Sequence, residues 1–456
     1  MTFRSVNPAT EETLQTFEPL DGPGLEAALA GSAHAWRRHR RTSLAERADR
    51  LREAAELLER GAKAYGRLMT QEMGKPLEQA VAEVEKCAWL CRHYADRGPD
   101  YLADEEIDTG FDRTRVRYRP LGPVLAVMPW NFPFWQVFRF AAPALVAGNT
   151  ALLKHAPNVP QCALAIEGIF NRAGFGEGVF QNLYLETDRV SDVLEDPRVR
   201  AATVTGSVAA GRAVAAEAGR RGKKVVLELG GSDPFVVMPD ADLEETLETA
   251  VAARVQNSGQ SCIAAKRFVV HEAVADAFTR GLVERMEALS VGDPLEASTD
   301  VGPLAREDLR DELARQVRET VEAGARVLAG GGVPDRRGWY HEPTVLAEVP
   351  DGSPAAREEL FGPVASLFPV ADAEEAVERA NDTPFGLGAS VWTRDEVHRE
   401  LFLEEIEAGT VAVNGMVASD PRVPFGGVKA SGHGRELGRR GVREFVNVQA
   451  VHEHGT

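Results

Sequence analysis

Thr203-Val204-Thr205-Gly206-Ser207-Val208-Ala209-Ala210-Gly211 decides the fold, because an apolar run stops at a small turn and passes straight into helical spacing. The small residues leave room for a ligand at a helix N-terminus. Working outward, strand-like runs at 150–154, 179–184, 201–205 and 224–229 alternate with helical patterns at 159–173, 189–194 and 208–220. Such a βαβ series implies a parallel sheet. A second series begins near Phe235, with helices around 243–256 and 272–289, and continues through 372–380 and 411–414. The expected fold class is therefore α/β, with two doubly wound parallel-sheet lobes. Ahead of them, Ser43 with Glu46 reads as a capping box, and Leu44, Ala48, Leu51, Ala55 and Leu58 recur at helical spacing, so the first hundred residues should be mainly a helical packing layer. Segments 113–118 and 445–452 are short, charge-flanked strands that belong to neither series.

Composition narrows the partners. A chain of 456 residues, 44% of them hydrophobic, buries at least one large core. Its 52 basic and 70 acidic residues leave a formal charge of −18, which repels a phosphate backbone and an anionic membrane surface alike; neither nucleic acid nor membrane is expected as a partner. The most apolar stretch, 138–153, is interrupted by Arg139, Pro143, Gly148 and Asn149 and is too short to span a bilayer. Four cysteines make no disulfide framework, and Met1-Thr2-Phe3-Arg4 does not open like a leader, so the expected compartment is the cytoplasm.

The chemistry concentrates in three segments. A lone cysteine is usually a buried hydrophobe. Cys262 follows Asn257-Ser258-Gly259-Gln260-Ser261, which reads instead as a polar, flexible loop, where exposure and nearby helix ends would lower the thiol pKa. Glu228 closes the apolar run Val225-Val226-Leu227 and precedes Gly230-Gly231; it is either a paired surface carboxylate or, with the thiol as partner, a general base. Asn131, between Pro129-Trp130 and Phe132-Pro133, is either a turn residue or an oxyanion donor. Cys87 and Cys91 lie one helical turn apart near His93, but no further ligand pair follows, and core packing is the better account; Cys162 lies in an apolar helix. No metal site is expected.

Together, Cys262, Glu228 and Asn131 in their segments resemble the aldehyde dehydrogenase superfamily, from about Asn7 to the C-terminus. The resemblance implies a Rossmann-like cofactor-binding domain (1–102 and 121–229), a catalytic domain (230–443) and oligomerisation segments (103–120 and 444–456) that pair into a small sheet, giving a homo-oligomer, dimer or tetramer. It implies NADP or NAD as cofactor, with Trp130, Lys154, Gly206, Ser207, Gly211, Glu359 and Phe361 around it. Members that prefer NAD often carry a glutamate three positions after the lysine; here that position is Pro157, and Lys154 with His155 tilts the reading toward NADP.

Trp135 and Arg139 follow Asn131 at intervals of four. Arg139, among phenylalanines, is either a salt bridge to a neighbouring lobe or a clamp on the distal carboxylate of an ω-semialdehyde. With Ser261 and Ser419 the set looks like the succinate-semialdehyde dehydrogenases; a general or glutarate-semialdehyde enzyme is the alternative, ahead of a CoA-acylating enzyme or a silent ligand-binding relative. Many members carry a lysine just after the Arg139 position, paired with the glutamate of a Gly-Arg-Glu-Leu-Gly run. Here that glutamate is Glu436 and the lysine position is Phe140, so helix capping or a backbone contact is the expected job of Glu436.

Overall fold

In a computed structural model describing residues 3–455, the first βαβ series becomes a six-stranded sheet. Across it lie Gly432–His433, Lys224–Glu228, Ala201–Thr205, Pro123–Met128, Thr150–His155 and Phe180–Asn182, all parallel except the two-residue edge. Every residue of Thr150–His155 and of Ala201–Thr205 is buried, as parallel strands covered by helices on both faces must be. From Pro123–Met128 the chain winds outward one way to Phe180–Asn182. It then returns to the other side as Ala201–Thr205 and Lys224–Glu228, so the winding reverses between Pro123–Met128 and Ala201–Thr205. Ligands of open α/β sheets bind beyond the strand C-termini at such a reversal. The segments that leave those ends are Pro129-Trp130-Asn131 and Gly206-Ser207.

The second series forms a seven-stranded sheet in the order Arg326–Ala329, Thr344–Ala347, Val364–Val370, Ala265–His271, Asp233–Val237, Gly388–Trp392 and Thr410–Val413, with only the first strand antiparallel. Gly432–His433 carries the chain back to the edge of the first sheet, against Glu228 and Leu227.

Helices Leu44–Met73 and Leu77–Tyr101 pack together and, with Trp135–Ala147, build the largest core. The capping box at Ser43 and Glu46 is present in both directions. Trp135–Ala147 is buried at every residue, so its one charge, Arg139, has to find a partner inside the protein. The helix begins at Trp135, which leaves Asn131 in the turn before it rather than on its face. Cys87, Cys91 and Cys162 are fully buried in this core.

One element departs from the helical reading of the N-terminus: a hairpin of Phe3–Val6 with Thr13–Phe17. The second strand is exposed along its length except at Phe17, which is half-buried, so it carries no burial pattern to find. Segments 113–118 and 445–452 do pair: Arg113–Pro120 is bonded over eight residues to Val446–Glu453, with Glu105–Ile107 on its other side. The leader expectation involves Met1 and Thr2, which with Thr456 lie outside the described residues. Among the described residues no helix is long and apolar enough to cross a membrane.

Candidate active site

The loop ahead of Cys262 corrects the sequence reading. Asn257, Ser258, Gln260 and Ser261 are each at most 1% exposed. Asn257 and Ser258 both hold φ of 56° and Gly259 holds 78°, a left-handed run that L-residues resist. Remote segments fix it: Gln79 Oε1 accepts from Asn257 N at 2.6 Å, Ser258 Oγ from Gly302 N at 2.9 Å, and Gln260 Oε1 from Ala305 N at 2.9 Å. Arg254 donates to the Gly259 carbonyl at 2.8 Å. The polar side chains belong to a rigid, buried turn that presents Cys262 partly exposed on a cavity wall. Burial pushes the thiol up to about 12, with Arg139 and Lys266 acting in the opposite direction, instead of lowering it as the loop composition implied.

Lys266 escaped the sequence reading. From the second residue of a buried strand it donates to the carbonyls of Ser261 at 2.9 Å, Cys262 at 2.8 Å and Ala264 at 3.2 Å, which pins the loop from below. Its signal was a charged pair, Lys266-Arg267, at the head of an apolar strand.

Cys262 lies where two cavities meet. One, of about 220 Å3, is lined by Trp130, Asn131, Gly206, Ser207, Glu228, Glu359 and Phe361 as well as Cys262. The other, of about 300 Å3, is lined by Lys86, Trp135, Arg139, Ser261 and Ser419. Gln136, also unremarked in the sequence, borders both and leaves its buried Oε1 without a partner. A roomier cavity of about 720 Å3 between Arg37, Arg47 and Arg119 holds none of these groups.

In the first cavity, neither oxygen of the buried Glu228 accepts a hydrogen bond from the protein. Burial, and then the neighbouring Glu436, push its pKa well above the usual carboxylate range. Asn131 Nδ2 donates one proton to the Gln260 carbonyl at 3.1 Å, while Asn257 Nδ2 reaches the Asn131 carbonyl at 2.7 Å, so the amide is locked to the loop it faces. Phe361 stands edge-on to Trp130 at 5.7 Å. Glu359 accepts from Gly231 N at 3.0 Å, and a Cβ on Gly230 would press on its carboxylate, which would have to shift. Ser207 caps the helix Val208–Arg220, and Gly211 lets that helix close on Leu229.

Lys154 is apart from these, in a further cavity of about 210 Å3 with Asp188, Ala210 and Val214. Burial lowers its pKa, and among the described residues it has no ion-pair partner. His155 is turned inward and bonded to the Pro133 carbonyl at 2.9 Å, so it contributes no surface charge beside the lysine.

The expectation for Glu436 is overturned. Arg139 Nε pairs directly with Glu436 Oε2, both side chains at most 5% exposed, and the guanidinium lies 4.7 Å above the Phe425 ring. Sequence spacing looked for the glutamate's partner at Phe140 and found none; the adjacent helical position supplies it. Arg139 thus has its charge committed, although its Nη2 keeps no protein partner. Ser419 accepts a hydrogen bond at 3.0 Å from Lys86, a residue the sequence reading passed over.

A thiol, a carboxylate with free lone pairs and an amide donor on one cavity can add to a carbonyl and later hydrolyse the adduct. Fold and site define a cysteine-based enzyme with two α/β lobes. The chain belongs to the aldehyde dehydrogenase family, whose model matches residues 1–451. It is 52% identical over 451 residues, 99% of each chain, to a protein of Synechocystis sp. named probable succinate-semialdehyde dehydrogenase, NADP(+). The succinate-semialdehyde dehydrogenase, NADP(+), of Mycolicibacterium paratuberculosis is 52% identical over 455 residues, 99% of this chain and 96% of that one. The crystal structure of succinic semialdehyde dehydrogenase from Streptococcus pyogenes in complex with NADP+ superposes with a TM-score of 0.97 at 34% identity, covering 99% of this chain and 100% of that one.

Proposed function

We propose that this aldehyde dehydrogenase oxidises succinic semialdehyde to succinate with NADP, in a reducing cytoplasm, as a homo-oligomer built through the three-stranded sheet. The observation that carries the reaction is the placement of Cys262 at the meeting of two cavities, one bordering the strand reversal and one walled by cations. The relatives named above support the substrate and the cofactor.

The residues fit a dinucleotide. Thr205 Oγ1 is buried without a partner, and Gly206 has open space where a Cβ would stand, at the N-terminus of a helix. Lys154, unpaired, suits the 2′-phosphate, and Pro157 brings no carboxylate against it. Trp130, Glu359 and Phe361 would flank the other end. Bound there, an oxidised nicotinamide would supply positive charge and a hydride acceptor.

The chain supplies the rest. Cys262 releases its thiol proton to solvent and its Sγ bonds to the aldehyde carbon as the C=O π bond opens, and the free N–H of Asn131, with the Cys262 backbone N–H, stabilises the resulting oxyanion. After oxidation the carbon is held as a thioester. Glu228 takes a proton from water, whose oxygen bonds to that carbon; the C–S bond breaks and the thiol recovers its proton. A carboxylate without hydrogen bonds, beside the thiol, suits water as the acceptor better than the thiol of CoA.

NADPH formation from succinic semialdehyde, with succinate as product and no requirement for CoA, tests this. Cys262→Ala should abolish turnover while leaving NADP binding largely intact. A CoA requirement, or residual turnover within about tenfold of wild type, refutes the mechanism.

A further inference from the structure

The wall of the cavity remote from the first sheet contains two cations, and the structure distinguishes them. Arg139 is already paired with the buried carboxylate of Glu436. Lys86, on the helix Leu77–Tyr101, has no ion pair among the described residues. Its ammonium lies 4.5 Å from the centre of the Trp135 ring and donates to Ser419 Oγ at 3.0 Å. The carboxylates nearest to it are both committed elsewhere. Glu83 is paired with Lys75 and also accepts from the backbone N–H groups of Phe134 and Trp135, each at 2.9 Å. Asp420 is held at 2.6 Å by Arg422. On its own helix, Glu85 is exposed to solvent, and Cys87 is a buried thiol pushed well above its ordinary value and so uncharged.

We infer that Lys86, together with the Ser419 hydroxyl it holds, binds the distal carboxylate of the substrate and sets the preference for a charged aldehyde. The inference rests on the reading of this chain as an ω-semialdehyde dehydrogenase. Lys86 is an unpaired cation half-removed from water, and a carboxylate is the partner its surroundings lack. Trp135 fixes the ammonium over its ring, so the charge is aimed before substrate arrives. Ser419 Oγ accepts from the lysine, which leaves its own proton to donate to the same carboxylate. Arg139 keeps an Nη2 group free of protein partners, but its charge is already offset by the buried carboxylate of Glu436.

Burial, and next the proximity of Arg139, lower Lys86 to about 8, so the charge is present at neutral pH and lost just above it. The KM for succinic semialdehyde should therefore climb above pH 8, and the KM for butyraldehyde, of equal length and without a carboxylate, should not.

The test compares kcat and KM for both aldehydes in the full-length enzyme and in Lys86→Met and Lys86→Arg. Lys86→Met should lower the ratio of specificity constants, succinic semialdehyde over butyraldehyde, roughly tenfold to a hundredfold, mostly through KM. Lys86→Arg should restore much of the ratio and abolish the rise in KM above pH 8. A ratio unchanged in Lys86→Met overturns the assignment while leaving the function standing. Absence of any preference in the wild type overturns the function and this inference with it. If Lys86→Met is inactive on both substrates, succinate protection of Cys262 from alkylation decides: protection in wild type and Lys86→Arg but not in Lys86→Met supports the assignment, and equal protection in all three refutes it.

Discussion

Glu228 and Cys262 share surroundings that disfavour their charged forms, and the division of labour between them is measurable at the level of single residues. The carboxyl is pushed up first by burial and then by Glu436, so its base form is populated only above the usual carboxylate pKa of about 4.3. Steady-state turnover should therefore rise with pH through a step above that range, and Glu228→Gln should remove the step. The same variant should keep a first burst of NADPH and slow only the later turnovers, because water activation comes after hydride loss. Rapid-mixing kinetics check both; loss of the burst along with the steady state would show that Glu228 acts on the thiol instead. Arg139 makes a different prediction. Arg139→Ala leaves Glu436 buried without its counter-charge, which should lower stability by about 3–5 kcal/mol, read from urea unfolding. Arg139→Ala with Glu436→Gln should recover part of that loss. A single variant as stable as wild type would mean that the pair contributes nothing.

The loop carrying Cys262 behaves as one element, and its geometry shows what the sequence conceals. Two consecutive left-handed residues, Asn257 and Ser258, cost on the order of 1–3 kcal/mol each and persist only because contacts from Gln79, Gly302 and Ala305 enforce them. Gly259 comes next at positive φ, and a Cβ there would collide with the Gly362 backbone. Gly259→Ala should thus move the thiol by a fraction of an ångström and cut the burst by on the order of a hundredfold, with the circular dichroism of the fold retained; an undiminished burst would mean that the loop tolerates displacement. Composition suggested flexibility here because Asn, Ser, Gly and Gln locally favour turns. Their burial is contributed by segments remote in the chain, those of Gln79, Gly302 and Ala305, and no local pattern records it. The alternating strands and helices were legible for the opposite reason: each buried strand, such as Thr150–His155, shows its burial in its own apolar residues. Arg139 was legible as an anomaly within an apolar helix, yet its partner was not, since helical spacing identifies a face and not the group across from it.

At the scale of the whole molecule, the sheet formed by Glu105–Ile107, Arg113–Pro120 and Val446–Glu453 stands apart from the two larger sheets. Eight residues of Val446–Glu453 are bonded on one side to Arg113–Pro120, and no other strand is bonded to the opposite edge among the described residues. A long unpaired edge is a template for another chain unless it is covered. Val448 on that strand is 60% exposed, with Ile107 and Phe111 also open to solvent, which is costly for apolar groups that nothing else covers. The chain's charge of −18 opposes indiscriminate association, so any contact between copies must come from local pairing rather than from general attraction. Deleting residues 446–456 should therefore reduce the particle to a monomer in light scattering, whereas Val448→Glu, which leaves the backbone edge intact, should weaken the assembly without abolishing it. Since Cys262 and Glu228 lie on the larger sheets and the loop between them, the deletion should leave the thiol titratable even if stability falls. A deletion variant with the mass of the wild-type particle would remove this sheet from the interface and shift attention to another surface of the two lobes.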